Sequence, residues 1–196
     1  MIYFMLHGFA SATPNDTSTF SEDTVLDDGD KLFNLNYRFN EFAAEDLIEA
    51  VDAALDSIEY KGWSDEFTFV GCSLGGYMAQ HLAGIYLGKA IVINPAVIPA
   101  ESLMRFLGEN TNYKTAETFN MTEDDVTAFA EFAVKPGRVP TLLLLDMGDE
   151  HLDSYKTLEH FEGYAEIVTF EGGCHRFDHL PESVPHIKAF INTLTL

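Results

Sequence analysis

One pentapeptide, Gly71-Cys72-Ser73-Leu74-Gly75, constrains this chain more than any other stretch. It follows an apolar run that reads as a strand, Phe67-Thr68-Phe69-Val70. It precedes one that reads as a helix, Tyr77-Met78-Ala79-Gln80-His81-Leu82-Ala83. A serine centred between two glycines at a strand-to-helix turn is the sequence mark of a nucleophile elbow. The turn is so sharp that the residues two before and two after the serine approach closely and must lack side chains. Gly71 and Gly75 meet that demand, and Gly76 leaves room for the helix to pack tightly on its strand. Cys72 is off-centre, so the spacing assigns the nucleophile to Ser73.

Around this elbow, short apolar strands alternate with amphipathic helices, the signature of a parallel α/β sheet. Strands are expected at 2–6, 31–37, 67–72, 89–94, 141–146 and 166–170. Helices are expected over about 41–60 (capped by Asn40), 75–87, 153–162 and 181–194. Pro181 and Pro185 move the expected start of the last helix toward Pro185. The polar connection 10–31 carries weak helical character near 15–22. Residues 98–135 interrupt the alternation with two helical pieces, about 100–107 and 123–134, the second capped by Thr122 with Asp125. The expected architecture is one compact α/β-hydrolase domain spanning 1–196. It has a mostly parallel sheet of about six strands, helices on both faces and a small helical, cap-like insertion.

With 32 acidic and 11 basic side chains, the formal charge is −21. Nucleic acids and anionic membranes are bound through Lys and Arg, so both are poor partners for such a surface. No apolar run reaches the ~20 residues that span a bilayer. The apolar N-terminus lacks a basic region and a small-residue cleavage site, so it reads as a buried strand and the protein as cytoplasmic. Cys72 and Cys174 do not form a disulfide framework, and each directly precedes a residue with a chemical role assigned below.

A serine hydroxyl needs a base, usually histidine, and the histidine needs a carboxylate to fix its tautomer. In the arrangement such an elbow serves, the chain order is Ser, acid, His, each after its own strand. The run 141–145 ends in Asp146-Met147-Gly148-Asp149-Glu150, and the run 168–170 ends in Glu171-Gly172-Gly173-Cys174-His175. Asp149 at the loop apex is the preferred acid, Asp153 the second choice and Glu150 the third. Asp146 belongs to the strand end, and Asp153 is also placed to cap the next helix. His175, after a glycine turn, is the preferred base and His179 its competitor. His151 lies in the acid loop, His81 on the elbow helix, and His160 and His186 on helix surfaces.

Two N–H groups are needed for the oxyanion. Leu74 offers one at the start of the elbow helix. Phe9 offers the other, in the His7-Gly8-Phe9 turn after the first strand. The apolar residues of the insertion read mainly as core. No histidine pair has metal-ligand spacing, and no cofactor is implied.

These segments together resemble the small YqiA/YcfP-like esterases of the α/β-hydrolase superfamily. The resemblance rests on Ile2-Tyr3-Phe4-Met5-Leu6-His7-Gly8-Phe9, the elbow with Gly76-Tyr77, and Val92-Ile93-Asn94-Pro95-Ala96-Val97. It continues through Gly148-Asp149-Glu150-His151-Leu152-Asp153 to Gly172-Gly173-Cys174-His175. It implies a compact hydrolase of short acyl esters without the usual leading hairpin, with Ser73 as nucleophile, Asp149 as acid and His175 as base. The region 10–31 departs from relatives, which carry a longer, more basic helix there. The expected partner is a small acyl ester. The alternative is a non-catalytic member of the fold that binds a ligand or protein.

Overall fold

Six of the apolar runs pair into a single parallel sheet, in the order β2-β1-β3-β4-β7-β8. These strands are β1 (Ile2–Leu6), β2 (Lys31–Leu35), β3 (Phe67–Cys72), β4 (Lys89–Ile93), β7 (Thr141–Asp146) and β8 (Glu166–Phe170). The computed structural model describes residues 1–13, 25–60, 62 and 67–193. Both faces of the central strands are covered, which is why β1, β4 and β7 are buried along their whole length rather than in alternation. One face packs Phe4, Phe69, Val92 and Leu143 against helices α1 (Ala43–Ser57), α2 (Leu74–Ile85) and α5 (Ser154–Phe161). The other packs Met5, Val70, Ile91 and Leu144 against α6 (Leu180–Ile191).

From β1 the chain runs first to one side, to β2, and then crosses to β3 on the other. Strand order therefore reverses between β1 and β3. In an open α/β sheet, the crevice at the carboxyl ends beside such a reversal is where ligands bind. The loops carrying Phe9 and Ser73 leave from those two strand ends.

Several boundaries differ from expectation. The second strand stops at Leu35. Helix α1 begins at Ala43 with no side-chain cap. Asn40 instead closes the preceding turn, its Oδ1 accepting from the Phe42 N–H at 3.0 Å and its carbonyl from the Ala43 N–H at 3.1 Å. Helix α6 starts at Leu180, ahead of the expected start near Pro185, and carries Pro185 inside it, where the ring has no N–H to donate to the preceding turn. The weak helix expected near 15–22 lies outside the described residues.

The insertion is not purely helical. Helices α3 (Pro99–Leu103) and α4 (Glu123–Ala128) are each followed by a short 3-10 turn, and between them lies an antiparallel hairpin, β5 (Gly108–Thr111) with β6 (Thr118–Met121). Its tip is held by the loop after β1. The Tyr113 N–H donates to the Ala10 carbonyl at 2.8 Å, and Asn112 Nδ2 to the Ser11 carbonyl at 2.8 Å. Thr122 and Asp125 form the expected reciprocal cap.

Candidate active site

Ser73 sits at φ 56° and ψ −124°, a conformation that costs a non-glycine residue energy and persists only where neighbours enforce it. Its N–H donates to the Ile93 carbonyl at 3.0 Å, and its own carbonyl accepts from the Gly76 and Ala96 N–H groups, each at 3.1 Å. A Cβ on Gly71 would overlap the Gly75 backbone, and one on Gly75 would lie 2.6 Å from the Leu6 and His7 carbonyl oxygens. The two glycines are thus required by contact. The Cys72 thiol, buried beneath this turn, is pushed up to about 12 by burial and by the nearby carboxylates, so it stays protonated.

The loop after β1 runs directly against the serine. A Cβ on Gly8 would meet the Cys72 carbonyl at 3.3 Å and Ser73 Cβ at 3.4 Å. His7 fixes this loop from behind. Its Nε2 receives the Tyr37 N–H at 3.4 Å, which leaves Nδ1 as the donor to the Gly8 carbonyl at 2.9 Å. Its ring stacks on Tyr37 at 4.4 Å, and the Tyr37 hydroxyl donates to the His7 carbonyl at 2.8 Å. Burial lowers the His7 pKa to about 4, so the ring stays neutral at ordinary pH. The Phe9 ring packs on Phe39, Phe106 and Phe119, joining the loop to the insertion. Leu74 is the first residue of α2, so its own N–H has no partner within the helix.

The acid and base expected from the sequence meet. His175 Nδ1 lies 2.8 Å from Asp149 Oδ2, and the Asp149 side chain is 1% exposed. Asp149 Oδ1 accepts from the N–H groups of His151 at 2.8 Å and Leu152 at 2.9 Å. Burial pushes the Asp149 carboxyl up, but the bond from His175, its charge and these two N–H groups outweigh it and hold the group below its ordinary value. Accepting a proton from Nδ1 fixes the tautomer that leaves the Nε2 lone pair available. Among the described residues, Ser73 Oγ makes no hydrogen bond. Its neighbour Cys72 Sγ is 3.7 Å from the His175 carbonyl, which brings the His175 turn alongside the elbow.

The other candidates fall into supporting places. Asp153 caps α5, accepting from the Tyr155 and Lys156 N–H groups. Glu150 Oε2 accepts from the His175 N–H at 2.9 Å. His179 pairs with Asp146, not with Asp149, at 2.7 Å. The His151 ring lies 5.0 Å from that of His175. It also lines a cleft of about 500 Å³ between α3 and α5, walled by Pro95, Ala96, Val97, Leu152 and Thr157. His81, half-buried, bonds the Phe132 carbonyl at 3.1 Å. Sequence reasoning did not find Asn94, whose side chain reaches the His175 turn. Its one local signal is an asparagine closing a buried strand.

The sequence profile of the uncharacterised protein family UPF0227 matches residues 1–192. The chain belongs to that family. Two UPF0227 relatives called YcfP, from Salmonella arizonae and Escherichia coli K12, are 28% and 26% identical to it over 185 residues. In both, the match covers 94% of this chain and 96% of the relative. Among solved structures, this UPF0227 member is similar to Est1E from Butyrivibrio proteoclasticus with ferulic acid bound, at TM-score 0.71 and 17% identity over 97% of this chain and 87% of that one. It is also similar to a structure described under two metagenome-derived lipolytic enzymes, LipS and LipT, at TM-score 0.66 and 16% identity over 97% and 92% of the two chains. At such identities the likeness establishes the α/β-hydrolase fold. No helix among the described residues is long and apolar enough to cross a membrane.

Proposed function

We propose that this protein is a serine esterase that cleaves small acyl esters through an acyl-Ser73 intermediate. The observation that carries the reading is the Asp149–His175 pair at 2.8 Å, beside a serine held in a strained elbow. In the first half-reaction His175 Nε2 takes the Ser73 hydroxyl proton as Oγ attacks the ester carbonyl. The resulting oxyanion is met by the N–H groups of Phe9 and Leu74. The C–O bond to the alcohol then breaks, and His175 returns the proton to the departing oxygen. Water, deprotonated by the same nitrogen, attacks the acyl-enzyme and releases the carboxylic acid and free Ser73. The bond from His175 to Ser73 forms when substrate closes the site, since such contacts are often long without it.

In this reading one part of the ester would lie in the cleft beside His151, whose walls mix apolar Ala96, Val97 and Leu152 with charged Glu101, Asp153 and Lys156. Est1E was solved with ferulic acid bound and LipS and LipT are described as lipolytic, and such chemistry on the same fold supports the ester reading. No cofactor takes part in this scheme.

A fluorophosphonate should attach to Ser73, detected by mass on the peptide that carries it. Hydrolysis of p-nitrophenyl acetate and butyrate should fall by roughly 10⁴-fold or more in Ser73→Ala with folding intact. A folded wild-type protein that is neither labelled nor active across a panel of esters and thioesters would return the case to the ligand-binding alternative.

A further inference from the structure

The Asp149–His175 bond fixes the imidazole only if the backbone carrying it is fixed as well. The turn 172–179 contains two glycines at positive φ, Gly172 and Gly173, so by itself it is permissive. Two side chains from neighbouring strand ends take up its polar groups. Asn94 directly follows β4 and is 1% exposed; Asp146 ends β7 and is fully buried. Asn94 Nδ2 donates to the carbonyls of Cys174 at 3.0 Å and His175 at 3.2 Å. Asp146 Oδ2 accepts from the Cys174 N–H at 3.2 Å and the Asp178 N–H at 2.8 Å, while Oδ1 faces His179 Nδ1 at 2.7 Å. The two supports are joined, because Asn94 Oδ1 accepts from the Asp146 N–H at 2.8 Å.

Asn94 itself stands at φ 40° in a buried position, a strained backbone that asparagine tolerates better than most residues. Its immediate neighbours hold the nucleophile: the Ile93 carbonyl receives the Ser73 N–H, and the Ala96 N–H donates to the Ser73 carbonyl. The segment 93–96 therefore grips the serine through its backbone and the histidine turn through one side chain.

We propose that Asn94 and Asp146 are positioning residues that set His175 in register with Ser73, so that nucleophile and base share one footing at the ends of β4 and β7. The proposal rests on His175 being the base. Neither residue touches the reacting atoms; both act through the peptide groups on either side of the imidazole. A misplacement of ~1 Å at such a group can cost about 10²-fold in rate.

Three variants test this. Asn94→Gly keeps the positive-φ backbone and removes only the side-chain clamp. Asp146→Ala leaves two buried N–H groups without an acceptor. Asp146→Asn can still accept from both with its oxygen, while its amide donates to His179 after a change of tautomer. With p-nitrophenyl butyrate, Asn94→Gly and Asp146→Ala should lower kcat between roughly 10- and 100-fold with KM nearly unchanged. Fluorophosphonate labelling of Ser73 should slow in parallel. Asp146→Asn should restore most of the rate. Near-ultraviolet circular dichroism and a cooperative melt show whether each variant is folded. Asn94→Gly carries the test if Asp146→Ala is not.

Two results overturn the proposal alone, given a labelled and active wild type: parental kcat in folded Asn94→Gly, or an Asp146→Asn as slow as Asp146→Ala. A general loss with raised KM and a non-cooperative melt in Asn94→Gly overturns it in favour of a purely structural role. A wild type that neither labels nor hydrolyses overturns the reading of the site, and this proposal with it.

Discussion

Two aspartate–histidine pairs lie side by side at the carboxyl end of the sheet, and their distances hardly differ: 2.8 Å for Asp149–His175 and 2.7 Å for Asp146–His179. Their surroundings do. Asp149 takes its other bonds from its own loop, and among the described residues the second nitrogen of the ring it holds makes no hydrogen bond. Asp146 spends its second oxygen on two backbone N–H groups of the histidine turn, and His179 lies flat on Phe170 at 4.9 Å and 6°. A short carboxylate–imidazole contact is therefore no mark of chemistry by itself. What separates the pairs is where the remaining lone pairs and protons point.

Replacing one carboxylate at a time breaks the comparison most sharply. Asp149→Asn should lower kcat/KM by roughly 10³- to 10⁴-fold, because the amide favours the wrong imidazole tautomer. The same change at Asp146 should leave most of the rate. Steady-state kinetics on one ester decides it, and equal losses would make the pairs equivalent.

A smaller effect separates the two members of the first pair. A kcat/KM–pH profile on one ester should show an acid-side fall that the Asp149 carboxyl does not cause. Asp149 stays ionised through that fall, because its carboxyl is held below the ordinary value. Its contribution to stability is present above the unfolded carboxyl value and is lost only as pH drops through the lower folded one. Asp149→Asn should therefore remove part of the stability that the wild type loses at low pH, read as a smaller drop in urea midpoint on acidification. An equal drop in both proteins would place that proton uptake elsewhere.

The smallest expected effect concerns stability. His179→Phe strips a hydrogen bond from a buried carboxylate and should cost about 1–3 kcal/mol in urea unfolding. His175→Gln should change stability by less than ~1 kcal/mol, since a glutamine amide can still donate to Asp149. The reverse order would mean that the first pair is the structural one.

The strands were legible because parallel strands buried on both faces are written as continuous apolar runs, as at 141–145. The elbow was legible because its glycine spacing is itself the motif: Gly71 faces the Gly75 backbone four residues on, although Gly75 is also demanded by the distant Leu6 and His7 carbonyls. The hairpin at 108–121 was not. Its strands are short and polar, and its tip is fixed by Ala10 and Ser11, about a hundred positions away. Asn94 was hidden for the same reason. Its partners lie 52 and 80 or more positions along the chain, and nothing local distinguishes it from any strand-ending asparagine. His179 could be seen as a rival to His175, but only the fold shows that Asp146 had already claimed it.

The bonds from the hairpin tip to Ala10 and Ser11 bind the histories of two segments together. Surface segments such as the insertion tolerate changes of length better than the sheet does. Here any lengthening or shortening of that hairpin pulls on the strip of chain that begins with Phe9. Variation in one must be matched in the other, and paired insertions and deletions in descendants of a common ancestor would be the trace it leaves.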